Sequence, residues 1–406
     1  MMGAMLLRFL LPALALFSST ATAADWPEIL GPKRRGVSQE TGWNMDWNAK
    51  EPPVLWKAKV GAGVCSCAVA GGKVFTMGSD GDTESVICLD AGTGKEVWRK
   101  SYDCEFDGRS FDTGGPATTP VVDGDRVYTL SFRGQVNCWN ASDGATVWSL
   151  HLATDFKGIM PRWGWAGAPL VVGNMLVIEP GGNGSSRAAV DKLTGKVFWQ
   201  SGTDPAAYAS PVIFSGPEMR GVALFNSSGL VAINPRDGSE LFRHAWKTDF
   251  DVNAATPVHK DGRFFLGTGY DHGIALVDAK TGPVWQNEKI MLHFQSPVLF
   301  ADHLYFVSGD NKNQAGIHCL EWATGAVKWS QPVPGQRGSV IIAGGKLIAL
   351  TDQGEVILAD ASPAGYNELG RIQPLGKQAW PVPAFSDRRL FVKNNAGTLV
   401  CLDLNP

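Results

Sequence analysis

The sequence predicts an all-β protein, an eight-bladed β-propeller built from four-stranded antiparallel blades. A short turn motif recurs seven times, at intervals of about 40 to 51 residues, and a repeat of this size is typical of propellers and solenoids. Between the motifs, short runs of β-branched and aromatic residues alternate with Gly and Asp every eight to twelve residues, which indicates strands joined by tight turns. The two ends of the chain also carry strand segments that complement each other.

The turn motif is an acidic or amide residue, then a Gly four or five residues later, then a large apolar residue. The first copy runs from Asp90 through Gly94 to Trp98. The acidic or amide side chain caps the turn, the Gly takes a positive φ, and a new strand begins near the apolar residue. Each copy therefore predicts the hairpin between the last two strands of a blade. We interpret the apolar residues as docking residues that fill the wedge between neighbouring outer strands. Together with a Trp ahead of the first copy, they are Trp56, Trp98, Trp148, Trp199, Phe242, Trp285, Trp329 and Leu369.

Closure of the ring follows from counting the units. Seven units run from about Ser66 to Leu375, and an eighth begins at Pro383 but ends at Asp403, before its outer strand. The segment from Pro53 to Val60 carries Trp56 and leads into the first unit. We therefore predict that this N-terminal strand completes the C-terminal blade, which removes the exposed edges of an open ring.

The start of the chain differs from the rest and predicts export. Arg8 precedes an apolar run from Phe9 to Phe17, and the segment ends in Ala21-Thr22-Ala23, which fits a signal peptidase site. We expect residues 1–23 to be a cleaved signal peptide, residues 24–52 an N-terminal extension, and residues 53–406 the propeller. An uncleaved anchor is the alternative. Because no Cys follows the apolar run, a lipid anchor is not supported, and we expect a periplasmic or secreted protein without a transmembrane segment after cleavage.

Composition limits the partners. The chain has 406 residues, 44% of them hydrophobic and 18% charged, with a formal charge of −3. We see no dense Lys/Arg stripe, so nucleic acid is not an expected partner. A monomer is expected.

The seven cysteines divide into two groups. Cys88, Cys138, Cys319 and Cys401 occupy equivalent places, two residues before the acidic or amide residue of the turn motif or its C-terminal equivalent. Equivalent positions of different blades are too far apart to bridge, so these four are predicted to be buried small apolar residues. Cys104 lies in the connection that leaves the first blade, and a disulfide from it to Cys65 or Cys67 is a possible pairing. We predict no metal site, since Cys65 and Cys67 lack His partners in a zinc spacing.

A ligand site is expected where the loops enter the innermost strands, because these loops form a funnel at one end of a propeller channel. The residues just before these strands are rich in aromatic and amide side chains. The alternative is that they satisfy one another and ordered water. The candidates are Arg162, Trp163, Trp165, Tyr208, Asn253, His293, Gln295, Gln336, Arg337, Gln378 and Trp380. No catalytic residue is predicted, because the chain contains no Gly-x-Ser-x-Gly, phosphate-binding or His-Glu-x-x-His motif.

The turn motifs Asp90 to Trp98 and Asp191 to Trp199, with their Thr-Gly-Lys and Trp at fixed offset, resemble the tryptophan-docking repeat of the pyrroloquinoline-quinone (PQQ) quinoprotein fold. That fold includes quinoprotein alcohol dehydrogenases and BamB-like proteins, both eight-bladed. The opening segment from Trp26 to Ser38 also resembles the start of secreted PQQ-like repeat proteins of planctomycete-type bacteria. The resemblance extends from about Trp26 to Asp403 and is specific for fold rather than activity.

Departures from the dehydrogenase branch favour the BamB-like branch. The resemblance to dehydrogenases would imply two adjacent bridged cysteines and a Glu, Asn and Asp set on Ca²⁺. This chain has Cys65-Ser-Cys67 instead, and Asn183 in the Gly-rich hairpin of the third blade where the calcium Glu is expected. We therefore expect an exported, non-catalytic scaffold that binds a cell-envelope protein or a small polar ligand, without cofactor. The alternative is a PQQ-dependent alcohol or sugar dehydrogenase.

Overall fold

A computed structural model describes residues 24–106, 114–216 and 218–406 of the chain. The predicted signal peptide, residues 1–23, lies outside the described residues. Eight antiparallel four-stranded sheets form the ring, with a fifth, parallel strand added to one of them. The first strands of most neighbouring sheets contact one another, which places these strands at the centre of the ring. The eight-bladed all-β fold predicted from the sequence is confirmed.

The strands follow the blades in chain order. The N-terminal strands and blades one and two are β1 Val37–Ser38, β2 Val54–Lys59, β3 Cys67–Ala70, β4 Lys73–Asp80, β5 Thr83–Asp90, β6 Glu96–Asp103, β7 Val121–Asp123, β8 Arg126–Leu130, β9 Gln135–Asn140 and β10 Thr146–His151. Blades three to five are β11 Leu170–Val172, β12 Met175–Ile178, β13 Arg187–Asp191, β14 Val197–Ser201, β15 Val212–Ser215, β16 Arg220–Asn226, β17 Gly229–Ile233, β18 Glu240–Ala245, β19 Val258–Lys260, β20 Arg263–Thr268, β21 Gly273–Asp278 and β22 Gly282–Asn287. Blades six to eight are β23 Val298–Phe300, β24 His303–Ser308, β25 Gly316–Glu321, β26 Val327–Pro332, β27 Gly338–Ala343, β28 Lys346–Thr351, β29 Val356–Asp360, β30 Glu368–Ile372, β31 Ala384–Ser386, β32 Arg389–Lys393 and β33 Thr398–Asp403. Helical segments are α1 Leu152–Phe156 and the 3₁₀ turns Pro32–Arg34 and Asp249–Asp251.

The ring closes as the sequence predicts. β2 pairs antiparallel with β33, with Trp56 opposite Cys401, and thus supplies the outer strand of blade eight. The missing C-terminal outer strand is therefore replaced by an N-terminal one, and no blade is left with three strands.

Each docking Trp joins its blade to the turn motif of the next blade. The indole Nε1 of Trp56 donates to the Ala91 carbonyl at 3.0 Å, and that of Trp98 donates to the Ala141 carbonyl at 3.1 Å. The indole face covers the Gly of the same turn except at Trp329, whose turn glycine Gly365 has nothing within 4 Å of an added Cβ. At Gly94, which has a φ of +70°, an added Cβ would lie 2.6 Å from Trp56. The turn motif therefore needs Gly both for its backbone conformation and for the close approach of the indole.

The interface between blades seven and eight uses another Trp. The motif position of blade seven is Leu369, and Trp47 from the N-terminal segment is buried beside it. The Leu369 carbonyl accepts hydrogen bonds from the Trp47 and Asn48 amides, both at 3.0 Å. The predicted extension therefore supplies a packing residue that the repeat lacks.

The segment predicted as an extension crosses the ring. The Trp26 and Val69 amides exchange 2.7 Å hydrogen bonds with each other's carbonyls in blade one, and the Val122 amide of blade two donates to the Pro27 carbonyl. β1 then pairs in parallel with β27 of blade seven. Glu40, buried, accepts hydrogen bonds from the backbone of blade eight. This N-terminal plug (residues 26–40) closes one end of the central channel.

All seven cysteines lie among the described residues, and all are free and buried. The Cys104 thiol points to Glu84 at 3.6 Å, whereas the Cys65 thiol donates to the Met77 carbonyl at 2.9 Å. The disulfide that the sequence allows from Cys104 to Cys65 or Cys67 is therefore not formed in this structure. Burial raises the pKa of Cys67 and of Cys104 to about 12, so both thiols stay protonated at neutral pH.

Within the described residues, no helix is both long and apolar enough to span a bilayer.

Candidate functional site

The end of the channel opposite the plug opens into a cavity of ≈380 Å³. Its walls come from loops that lead into the first strands of several blades and from loops between second and third strands. Ile29 of the plug also lines it and forms part of its floor. We call this cavity the funnel.

Hydroxyl side chains at the starts of the first strands hold the funnel wall together. The Ser66 amide donates to Thr119 Oγ1 of the next blade at 3.1 Å, and the Ser210 amide donates to Thr256 Oγ1 at 3.3 Å. The Thr256 amide donates to Ser296 Oγ at 3.0 Å. Because each hydroxyl satisfies a buried amide of the preceding blade, these contacts fix the loops that enter the funnel.

Aromatic rings form a continuous arc around the funnel. The sequence of ring contacts, with centroid separations of 3.8 to 6.4 Å, is Tyr208, Trp163, Phe250, Tyr270, His293, Phe294 and Trp380. Within the arc, His293 stacks on Phe294 at 3.8 Å and an interplanar angle of 18°. Such an arc offers flat apolar faces to planar or peptide-like groups.

Two arginines lie at opposite ends of this arc. The Arg162 guanidinium lies over Trp163 and Phe250 at 5.1 and 5.4 Å, and the Arg337 guanidinium lies over Phe294 and Trp380 at 5.0 and 4.6 Å. Arg337 also donates to the Asn311 amide oxygen. Among the described residues that line the funnel there is no Asp or Glu. The funnel therefore presents aromatic faces and the Arg337 guanidinium, while Arg162 lies behind its wall.

His293 is the most unusual group of the funnel. Its side chain lines the cavity but is only 3% exposed, and neither ring nitrogen has a hydrogen-bond partner among the described residues. Burial, with a further contribution from Arg337, lowers the pKa of His293 to about 4. The imidazole is therefore neutral at physiological pH and presents one donor and one acceptor.

The structure divides the residues predicted for the funnel. Six of them line it: Trp163, Tyr208, His293, Gln295, Arg337 and Trp380. Arg162 stacks on that wall without being a lining residue.

Four other predicted residues are structural in this arrangement. Trp165 is buried and donates to the Pro180 carbonyl at 3.3 Å, and the Asn253 amide donates to the Asn226 and Trp246 carbonyls. Gln336 bonds the Asn311 carbonyl at 3.1 Å. Gln378 occupies a turn with a φ of +58° and accepts the Asn395 amide.

Sequence reasoning missed Tyr270 and Asn311, which also line the funnel, and did not single out Phe294, which lies between the predicted His293 and Gln295. Tyr270 and Asn311 lie between the second and third strands of blades five and six, in loops that reach the same face. The polar Gly-Tyr-Asp-His sequence at residues 269–272 is a signal that could have indicated the first of these loops.

The described residues do not fit a quinone–metal centre of the dehydrogenase type. Glu179 lies just before the Gly-rich hairpin of blade three, and its charged neighbours are Arg187, Arg34 and Asp204. Burial raises the pKa of Glu179 to about 8, against the opposing effect of Arg187 and Arg34. Over the described ranges, no group of three or more His, Cys, Asp or Glu side chains could hold a metal ion.

Comparison with known proteins gives a family and two kinds of relative. A family model described as outer membrane protein assembly factor BamB matches residues 36–109 and 84–331. The outer membrane protein assembly factor BamB of Yersinia pestis is 23% identical over 372 residues, which cover 76% of this chain and 89% of that protein. Quinohemoprotein alcohol dehydrogenase ADH IIB of Pseudomonas putida is 31% identical over 148 residues, 34% of this chain but only 20% of the enzyme.

Solved structures with a similar fold include two dehydrogenases. Quinohemoprotein alcohol dehydrogenase ADHIIG of Pseudomonas putida HK5 has a TM-score of 0.68 at 16% identity, with coverage of 94% of this chain and 80% of the enzyme. A europium-containing methanol dehydrogenase has a TM-score of 0.65 at 12% identity, with coverage of 93% and 89%. At these identities the likeness concerns the fold alone.

Proposed function

This chain belongs to the family of the outer membrane protein assembly factor BamB, within the PQQ-like β-propellers, and we propose that it is an exported scaffold that performs no chemistry of its own. It captures an extended segment of a partner protein in its funnel. The segment carries an acidic group, which the positive charge of Arg337 attracts, and planar or apolar side chains, which the aromatic arc contacts.

The proposal depends on one observation, the absence of a hydrogen-bond partner for either ring nitrogen of His293 among the described residues. A buried polar group without a hydrogen bond costs about 1–3 kcal/mol, so a partner that supplies the missing bonds gains affinity. The neutral imidazole offers one donor and one acceptor, and a peptide group offers the complementary N–H and C=O. Both ring nitrogens are buried, so a bound backbone segment satisfies them only by displacing the wall beside His293, while its side chains contact Phe294 and Trp380.

The proposed location follows from the sequence of the first 23 residues and from the family. Residues 1–23 act as a signal peptide, and the mature protein, comprising residues 24–52 and the propeller of residues 53–406, works in the periplasm or is secreted. The relative from Yersinia pestis is by name an outer membrane protein assembly factor, which supports an envelope setting.

Site-specific photo-crosslinking tests the proposal. A photoreactive phenylalanine analogue replaces Tyr270 in the funnel or, as the control, the exposed Phe198 on the outer strand of blade three. After irradiation of intact cells, we expect a discrete protein adduct from the Tyr270 position. The same adduct weakens at least several-fold when Trp380→Ala is added on the far side of the arc.

Equal labelling from Phe198, or labelling insensitive to Trp380→Ala, would contradict capture in the funnel. Absence of any protein adduct, together with a copurifying small anion identified by mass spectrometry, would transfer the site to a small ligand.

The competing function is a PQQ-dependent alcohol or sugar dehydrogenase. Dehydrogenases with a similar fold suggest it, but the described residues offer no cluster of side chains that could hold the metal ion. Purified protein is mixed with PQQ and Ca²⁺, and quinone absorbance and dye reduction with alcohols or sugars are followed. We expect neither saturable quinone binding nor turnover, and turnover would overturn the scaffold function.

A further inference from the structure

A second cavity lies on the face of the ring that the N-terminal plug covers. This crevice has a volume of ≈280 Å³. One wall is the plug at Lys33, Arg34 and Arg35, and the other comes from the first strands of blades four, five and six with the turn after β19. It is remote in the fold from the funnel mouth, because the first strands run from one face to the other.

The plug turn that carries the cations is rigidly held. The Arg34 side chain is almost fully buried and bonds Glu28 at 2.7 Å. It also donates to the Ala168 and Pro211 carbonyls at 3.2 and 2.7 Å and to the Pro169 carbonyl. Its hydrogen bonds anchor the turn into blades three and four. Arg34 is therefore an anchor, and its neighbours are the groups that a ligand can reach.

The backbone of this turn is strained in a way that the anchor compensates. Leu30, Lys33 and Arg34 have φ values of +61°, +59° and +55°. A left-handed conformation costs a non-glycine residue about 1 kcal/mol, and such residues concentrate at ligand sites and switches. The strained turn places Lys33 and Arg35, both exposed, on either side of the buried Arg34.

The charges of the crevice are mostly positive. In the described part of the chain, neither Lys33 nor Arg35 forms an ion pair, whereas Lys260 pairs with Asp302. Asp261, at the rim, is the carboxylate among the lining residues. Burial lowers the pKa of His259, and the positive charge of Arg35 lowers it further. The Arg35 guanidinium and the His259 imidazole therefore lie close to each other in the crevice that both of them line.

We propose that Lys33 and Arg35, on the crevice wall beside His259, bind a phosphate group. A guanidinium with an adjacent ammonium matches the oxygens of a phosphate in geometry and charge, since Arg can bind two oxygens and Lys adds a point charge. The volume leaves room for the group to which the phosphate is esterified. The rigid turn lowers the ordering cost of binding. Free phosphate compounds and phospholipid headgroups offer the same chemistry.

The test follows the imidazole of His259 by NMR in the full-length mature protein. Inorganic phosphate and glycerol phosphate are titrated at constant ionic strength, with sodium chloride as the screening control. We expect saturable shifts of the His259 ring signals and a rise of its pKa, because a bound anion favours the charged imidazole. Lys33→Gln/Arg35→Gln lowers the affinity at least about tenfold, which is 1.4 kcal/mol. The matched control Lys57→Gln/Lys59→Gln, also two exposed cations, leaves it unchanged.

Vesicles distinguish the two sources. The site binds a lipid headgroup if the protein sediments with phosphatidylglycerol vesicles but not with phosphatidylcholine vesicles, and if Lys33→Gln/Arg35→Gln abolishes this sedimentation. Saturable phosphate binding without sedimentation would assign it to a soluble phosphate compound. No saturable shift of His259, or equal losses in the crevice and control variants, would overturn the proposal.

Discussion

Replacing Gly94 by Ala tests whether the docking of each Trp on the next turn stabilises the ring. Gly94 belongs to blade one, and the indole that covers it is Trp56 of blade eight, so this contact closes the circle. The new Cβ would lie 2.6 Å from the indole. Because real Cβ atoms do not approach carbon this closely, the indole must move away from the turn or the turn must shift.

The magnitude follows from two contributions. Holding Ala at a φ of +70° costs about 1 kcal/mol. Displacement of Trp56 weakens its 3.0 Å hydrogen bond to Ala91, worth about 1 kcal/mol, and exposes part of an indole that is now only 8% exposed. We expect a total loss of roughly 2–4 kcal/mol in the free energy of unfolding.

Two other glycines serve as matched controls. Gly72 has a φ of +73° and Gly282 a φ of +83°, and an added Cβ would contact nothing within 4 Å at either position. Gly282 occupies the same motif position as Gly94, but the preceding blade supplies Phe242 instead of Trp. Both Ala variants should therefore show only the conformational cost of about 1 kcal/mol.

The assay is equilibrium unfolding in guanidinium chloride, followed by fluorescence and circular dichroism together. If Gly94→Ala is no less stable than Gly72→Ala and Gly282→Ala, the contact between Trp56 and Gly94 does not stabilise the ring. The same holds if Gly94→Ala shows the full loss in a Trp56→Leu background, where the clash is gone.

Two further predictions concern buried charges. Arg34→Met should cost about 3–5 kcal/mol because it leaves Glu28 and three carbonyls without their cation, and a thermal melt within a degree of the wild type would contradict this. Burial raises the pKa of Glu84 to about 7 despite its bond from Tyr102, so the folded state favours the protonated form. The protonated carboxyl of Glu84 contributes fully to the free energy of unfolding below its unfolded pKa near 4.5, and this contribution is lost as pH rises through 7. The free energy of unfolding therefore declines between pH 4.5 and 7, and Glu84→Gln should remove up to about 3 kcal/mol of that decline, measured by denaturation. Glu51→Gln, at an exposed site, should leave that decline intact, and an unchanged decline in Glu84→Gln would contradict the assignment.

The repeat made the blades predictable because each copy encodes its own local structure. The Asp and Gly of a motif such as Asp90 to Gly94 fix a turn through neighbouring residues alone, and strand alternation fixes which faces are buried. Closure of the ring was also predictable. The C-terminal blade lacks its outer strand and the N-terminal segment carries an unpaired strand with Trp56, so pairing the two leaves neither strand edge exposed.

The N-terminal plug was less predictable, because its contacts are unique and long-range. Residues 26–40 have no repeat and little strand pattern, so the sequence shows only an extension. The burial of Arg34 depends on carbonyls of Ala168, Pro169 and Pro211, more than 130 residues away. Glu40 likewise binds amides near the other end of the chain. In the sequence, a charged residue whose partners are distant backbone groups cannot be told apart from an exposed charged residue.

The funnel illustrates an intermediate case. Position in the repeat identified the loops that enter the channel, and six of eleven predicted side chains line it. Position could not distinguish Trp163, which faces the funnel, from Trp165, which packs between blades. The two tryptophans are two residues apart in a turn, and the directions of their side chains depend on backbone torsion angles that the sequence pattern does not determine. The isolation of His293 from any hydrogen-bond partner is likewise visible only in three dimensions.

The plug also determines how the two cavities relate to each other. Ile29 contributes to the floor of the funnel, whereas Lys33 and Arg35, four and six residues later, line the crevice on the other face. Between them, Arg34 fastens the turn to blades three and four. Under the proposed function, a partner segment that enters the funnel leaves by the same mouth, because the plug occupies the other end. The two proposals together therefore describe a ring that holds a segment rather than threading it, with a different chemistry recognised at each face.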